Sequence, residues 1–502
     1  MLLRLARQSG VYALGNVVLK ASGLVLAVFY LDPAYLPQAD FGYLAQLDAL
    51  ARLLLLLGGL GLPLGLIKFA TATTVAEAER GAVPSTALAV AGACATVLFA
   101  LGWVGAPALA ETLLDDPSQA PLIRLFTVYI AFKTVGDVGY AELRARERPG
   151  LFVLALAIEW LALIGGVVYF LAVQGEGLLG VMKGYAISAV VIGAGLGGWV
   201  GLVAGKGVNL DLAKRLIVFG APLVAAGLAS RFLSIGDRFL IDILLGPAPV
   251  AVYEWGAKLG GTLNLFFVQS FQLAFTVIGL KALAADEAAA PLHRRVFRHF
   301  TIWTAWAVLG LTLLSRDVTS LLTDEPDYLE VEPLVLLIAL GFLMNGIYFI
   351  AVNVLYAAGR TRTVAVSVGA AALLNVALNL LLIPMLGLIG AAVATFVAYG
   401  ALAGWTAVIA EREIHAGYPW PVLVSALLLV LGLWALAQPS LGWGTGLRLV
   451  WRFALIGAYV PLVFVAGLYH RGDIRLIQHA AQRFFGREHG EALGASPPDE
   501  MR

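Results

Sequence analysis

Nine of the ionisable side chains inside long, otherwise apolar stretches of the sequence are candidates for chemistry. Five are cations, Lys20, Arg52, Lys133, Arg231 and Lys258, and four are acids, Asp137, Glu159, Asp237 and Asp242. If those stretches lie in lipid, each such group costs about 3 kcal/mol or more unless it faces a wet cavity or a partner. Several cations around one cavity suit an anionic ligand. A pyrophosphate offers enough oxygens for several charge-assisted hydrogen bonds; Arg grips them as a fork, and Lys acts as a movable point charge. The acids suit a different task, the uptake and release of a proton or a sodium ion. Glu159 has no cation three or four residues away and is the strongest candidate for it.

The competing reading is internal pairing. Lys133 and Asp137, Glu254 and Lys258, and Arg238 and Asp242 are each one helical turn apart and can neutralise each other. Lys20, Arg52 and Arg231 are read as free of such a partner and are therefore expected to line the cavity. Lys68 and Lys183 lie near the ends of their apolar runs, where long side chains reach back to the interface. Asn353, Asn375 and Asn379 read as hydrogen-bonded glue between helices. Gly193, Gly197 and Gly201, spaced by four, predict close helix packing, and Pro63 and Pro222 predict kinks.

The elements that position these residues follow from composition. Of 502 residues, 60% are hydrophobic and 13% charged, with mean hydropathy +0.88; soluble domains run nearer 45–50% apolar and about 25% charged. Lipid is the solvent. Apolar runs long enough to span it fall near 10–31, 41–69, 84–105, 119–141, 150–172, 178–203, 214–243, 249–279, 298–315, 331–358, 364–385, 388–410, 419–437 and 448–469. The reading is an all-α polytopic membrane protein of about fourteen transmembrane helices. Lys and Arg alternate between successive loops, concentrated at Arg4 and Arg7, Lys68 and Arg80, Arg144 to Arg148, Lys206 to Arg215, Lys281 to Arg298, Arg360 and Arg362, Arg412, and Arg471 to Arg487. Both termini are accordingly expected in the cytoplasm of a bacterial inner membrane. The first apolar run is too long for a secretory signal and reads as a retained helix.

Six is even, so two six-helix units, 1–205 and 206–411, would enter from the same face and form two lobes around a central cavity. Two further helices (412–469) and a cytoplasmic tail (470–502) complete the division. Within the tail, His470 to Phe485 reads as an amphipathic surface helix. Net charge is +1, which gives no bulk case for nucleic acid, and the lone cysteine, Cys94, can form neither an internal disulfide nor a metal site. GLVAGKG lacks the spacing and the Ser/Thr of a nucleotide-binding loop. No HExxH, CxxC or GxSxG occurs, so the chain reads as a transporter without a cofactor and not as an enzyme.

Three segments carry a resemblance. ALGNVVLKASGLVLAVFY followed by ADFGYLAQLDAL, then GDRFLIDILLGPAPVAVYEWGAKL, then LYAAGRTRTVAVSVGAAALLNVALNLLLIPMLGLIGAAVATFVAYG resemble, in order, the polysaccharide transporters (O-antigen-type flippases) of the multidrug/oligosaccharidyl-lipid/polysaccharide exporter superfamily. The last block is the most specific, with its basic hinge, Asn375 and Asn379 one turn apart, Ile-Pro and a Gly-rich turn. The resemblance spans roughly the first 410 residues. It implies a monomeric flippase for an undecaprenyl-pyrophosphate-linked oligosaccharide, serving lipopolysaccharide or exopolysaccharide synthesis near a glycan polymerase. An ion gradient, proton or sodium, would drive it as an antiporter. A lipid II flippase would share this architecture. A multidrug exporter would favour acids in its cavity, and a glycosyl polymerase or ligase would be an enzyme with a long outer loop.

Overall fold

The computed structural model describes residues 23, 25–71, 77–204, 207–285 and 289–469. Lys20 and the tail helix lie outside them. The described residues form helices and no strand. The long elements are α1 (Gln38–Gly59), α2 (Leu62–Thr71), α3 (Glu77–Val104), α4 (Ala106–Leu114), α5 (Ala120–Ala145), α6 (Pro149–Val167), α7 (Gly177–Val203), α8 (Leu210–Leu245), α9 (Pro247–Leu263), α10 (Gln269–Ala285), α11 (Ala289–Ser320), α12 (Glu332–Ala357), α13 (Thr361–Leu386), α14 (Leu388–Ile414), α15 (Trp420–Ala437) and α16 (Thr445–Val465). A π-helical turn, Asn264–Val268, joins α9 and α10 into one rod, and another extends α6 to Val173.

Eleven helices among the described residues are long and apolar enough to cross a membrane. The expectation was fourteen. Two other long helices, α5 and α11, carry charges such as Lys133 and Asp137 or Arg294 and Arg295, and most of the first expected span lies outside the described residues. Charge is what hides α5 and α11 from an apolarity criterion, and in α5 that charge belongs to the site.

The helix ends define two faces. One carries Arg144, Arg146, Arg148, Arg360 and Arg412 and is called here the basic face; the other carries Asp115, Asp116, Asp324, Glu325 and Asp327 and is the acidic face. Near the acidic face a single apolar core draws on both halves of the chain. It joins Tyr30, Phe41, Phe126 and Met182 to Tyr253, Trp255, Tyr328 and Ile383. Toward the basic face the first half keeps cores of its own, around Leu62, Leu66 and Val138 and around Tyr140 and Phe152. The second half builds a separate core from α8 to α16. The two halves thus share one core at the acidic face, whereas toward the basic face their cores are separate apart from the start of α8.

Helix α8 belongs to both. Its start, Leu212 and Leu216, packs in the first half's core, whereas Leu233 packs with the second. Pro222 lies inside it, next to a backbone-to-backbone contact. A Cβ on Gly220 would stand 1.8 Å from the Leu60 carbonyl oxygen, where α1 ends with Leu60 left-handed at φ 43°. Pro63 therefore does not kink a continuous helix as expected; it sits in the first turn of α2, after a break already made at Leu60 and Gly61. Gly220→Ala is expected to destabilise the protein by about 1–3 kcal/mol through overpacking. Thermal unfolding of the purified variant reads this against Gly198→Ala, whose added methyl would meet open space.

The small-residue run in α7 packs as predicted at two of its three positions. A Cβ on Gly193 would lie 2.3 Å from the Phe132 carbonyl and one on Gly197 2.8 Å from Val135, but Gly201 faces open space.

Candidate functional site

Two arginines from opposite halves of the chain share one depth. Arg52 stands 14 residues after Gln38 on α1, and Arg231 stands 14 before Leu245 on α8. At 1.5 Å per residue both lie about 21 Å from the acidic-face ends of their helices. Beneath them α1 and α8 touch through Ala49 and Leu53 against Leu228, Ile235 and Phe239. Both guanidinium groups are exposed and close enough to act on each other electrostatically. Neither forms an ion pair among the described residues. Two like charges held so near each other repel, and an anion set between them relieves that repulsion.

Arg52 does have an acid one turn away, contrary to the sequence reading. Asp48 lies four residues before it, and both Asp48 and Glu254 fall within its electrostatic reach. The spacing was visible in the sequence and was overlooked there.

Beside the arginine pair, the second half buries a four-membered ion cluster. Arg238 donates from Nη1 to Asp237 Oδ1 at 2.7 Å and from Nη2 to Glu254 Oε2 at 3.0 Å. Lys258 Nζ lies 3.5 Å from the other Glu254 oxygen, and the Tyr253 hydroxyl donates to Asp237 Oδ2. The expected partner of Arg238, Asp242, is not in this cluster; it lies farther toward the acidic face, beside Gln46. The reason is burial. Glu254 is buried on α9 and draws Arg238 as well as Lys258, whereas Asp242 is half-exposed. The Lys258–Glu254 pairing holds as read. Its ammonium also caps the Phe41 ring of α1, 4.8 Å from the centroid, a cation–π contact across the seam between the halves.

The first half holds a second cluster. Lys133 Nζ lies 2.5 Å from Glu159 Oε1 and 3.7 Å from Asp137 Oδ1. The Tyr140 hydroxyl donates to Glu159 Oε2 at 2.6 Å. Glu159 is therefore not isolated: its cation comes from α5, 26 residues away in sequence, which i±4 counting on one helix cannot find. Both its oxygens are engaged, whereas the side chain of Asp137 remains 38% exposed.

Farther out, Arg452 of α16 is fully buried and pairs with Asp317 of α11 at 3.0 Å and Glu332 of α12 at 2.9 Å. Arg448 also binds Asp317, at 2.6 Å, and Trp434 of α15 and Gln438 just after it donate to Glu332. Asp317 and Glu332 are thus the anchor of the last two helices. Asn375 donates to Thr395 and ties α13 to α14 in the glue role predicted for it, whereas Asn379 donates to Asn375 within α13 and the buried Asn353 amide nitrogen has no hydrogen-bond partner among the described residues.

The family described as "Polysaccharide biosynthesis protein" matches residues 5–276, more than half of the chain. The chain belongs to the polysaccharide biosynthesis protein family. Comparison with curated proteins gives no match. Among solved structures, this polysaccharide biosynthesis protein is similar to a lipid II flippase, MurJ, in an inward closed conformation. The TM-score is 0.72 at 12% identity, over 91% of this chain and 99% of that one. It is also similar to a multidrug resistance MATE family transporter of the MOP superfamily in an inward-facing conformation, with TM-score 0.63 at 13% identity over 79% and 98%. An outward-facing MATE structure gives 0.56 at 16% identity over 82% and 96%. At these identities the likeness is one of fold, and it agrees with the superfamily that the three sequence segments resemble. Those neighbours are a flippase and transporters, and the helices of spanning length make this chain a multi-pass membrane protein.

Proposed function

We propose that this polysaccharide biosynthesis protein flips an undecaprenyl-pyrophosphate-linked oligosaccharide across the bacterial inner membrane by ion-coupled alternating access. The observation that carries the reading is the Arg52–Arg231 pair. Two exposed guanidiniums, one from each half, without an ion-pair partner among the described residues and at one depth within the bundle, must open on water and not lipid. They offer two forks to a pyrophosphate. The shared core at the acidic face and the separate cores at the basic face support a space that opens at the basic face. By the Lys/Arg rule that face is cytoplasmic, where lipid-linked oligosaccharides are assembled. The pyrophosphate would enter there while the lipid tail stays in the bilayer, and rocking of the halves would expose it on the other side.

Coupling is assigned to the carboxylates Asp137, Glu159, Asp237 and Asp242. The protein acts as a monomer in this scheme, and a glycan polymerase would take the product. In proteoliposomes holding fluorescent polyprenyl-pyrophosphate glycan, wild-type protein is expected to move the label between leaflets when an ion gradient is imposed. Labelled lipid II moving instead would reassign the cargo, and movement of a lipophilic cation alone would sink the reading. Glu159→Gln is expected to retain lipid exchange while losing its dependence on the gradient. Unchanged dependence in the same vesicles would remove Glu159 from the coupling step.

A further inference from the structure

We infer that the Lys133–Asp137–Glu159 triad is a proton site closed to metal cations, so that the coupling ion of this protein is H⁺ and not Na⁺. The inference rests on the ion-coupled reading above and narrows it.

The composition of the triad is one ammonium and two carboxylates, leaving one negative charge. The position a sodium ion would need, between the carboxylates, is already taken. Lys133 Nζ lies 2.5 Å from Glu159 and 3.7 Å from Asp137. A bound metal cation needs a shell of oxygens drawn around it, yet both oxygens of Glu159 are committed, one to Lys133 and one to the Tyr140 hydroxyl. A second cation placed here would also sit within a few ångströms of the ammonium and be repelled. A proton needs neither space nor a shell. Asp137 has the long contact to Lys133 and an exposed edge, so it can take H⁺ from water.

Around the triad one further cation, Arg144, lies within electrostatic reach of Asp137. On α5 itself Tyr129, Tyr140 and Arg144 face the triad. From α7, packed along α5, Tyr185 meets Tyr129 with ring centroids 5.4 Å apart, and the lysine of that helix, Lys183, is held by Glu176 at 2.6 Å. From α1, Asp48 lies within electrostatic reach of Tyr129. On α2, Lys68 is turned onto the Phe219 ring, 4.0 Å from its centroid. Between Gly81 and Val104, α3 carries no charged residue. In the proposed step a proton from water on one side forms one O–H bond on Asp137, Lys133 stays on Glu159, and the triad becomes neutral. Release to the other side breaks that same bond and restores the charge. A neutral triad is the cheaper one to hold away from water while the halves close around it.

The test uses full-length protein in detergent, so it does not depend on what the protein carries. The Tm of wild-type protein is expected to be the same in sodium chloride as in choline chloride at equal ionic strength. Lys133→Gln vacates the central position and is expected to gain a sodium-specific rise of about 2 °C or more, whereas Lys133→Arg gains none. Acidification is expected to change wild-type tryptophan emission, reported by Trp160 next to Glu159, and Asp137→Asn is expected to abolish that change. A sodium-specific Tm rise in the wild type overturns the inference, as does a folded Lys133→Gln protein that ignores sodium. A proton signal that survives in Asp137→Asn overturns it too. If Lys133→Gln does not fold, the wild-type and Asp137→Asn measurements still decide. A protein that binds protons, ignores sodium and flips no lipid-linked glycan would sink the proposed cargo and leave the proton site standing.

Discussion

Arg231→Gln and Arg52→Gln are each expected to abolish glycan export, a loss of about thirtyfold or more, while the protein still inserts and folds. The size follows from what the arginines do. Removing one member of a desolvated, charge-assisted contact costs about 2–5 kcal/mol, and about 1.4 kcal/mol is already tenfold. Folding should survive because neither side chain closes an ion pair among the described residues and both are exposed. Removing either even relieves the repulsion between them. Arg→Lys at the same positions should fall between wild type and Gln, since Lys keeps the charge and loses the fork. Complementation of glycan display in cells, with membrane-inserted protein measured in parallel, checks the expectation. Normal export by both Gln variants would remove the arginine pair from the site.

Arg452→Ala is expected to be the most destabilising single substitution in the chain, at about 3–5 kcal/mol. It leaves two buried carboxylates, Asp317 and Glu332, without the cation that bridges them. Arg448 reaches only Asp317 among these two, so Glu332 would keep only the two neutral donors Trp434 and Gln438. Replacing the network with apolar groups is a different matter. Arg452→Met combined with Asp317→Leu and Glu332→Leu should recover much of the loss, because no unpaired charge is then buried. Thermal unfolding of the purified proteins separates the two cases; an Arg452→Ala protein as stable as wild type would show that the clamp is held by packing alone.

Sequence reasoning found the helices because apolar runs of spanning length have few other uses, and it found the second-half lysine pair because Glu254 and Lys258 lie on one helix at one-turn spacing. It failed wherever a partner came from another helix. Glu159 was read as isolated because its lysine lies on α5, and Arg238 was assigned to Asp242 because Glu254, which displaces it, belongs to α9. Arg452 stood plainly in an apolar run, yet its acids lie 120 and 135 residues away. Asp48 is a different kind of miss, since its spacing to Arg52 needed no structure at all. The break at Leu60 and Gly61 was marked by the Gly-Gly-Leu-Gly-Leu-Pro run at 58–63, but that run was read as a proline kink within one helix.

The core that both halves share at the acidic face has a consequence for leakage. Opening there would pull Phe41, Trp255 and Tyr328 out of a dry contact and present them to water, a penalty set by apolar area and incurred afresh on each excursion. Nothing in the vacant protein offsets that penalty. A bound cargo that bridges the arginines can, by drawing the halves together on the opposite side. Idle copies should therefore stay shut on that side and dissipate little of the membrane's ion gradient.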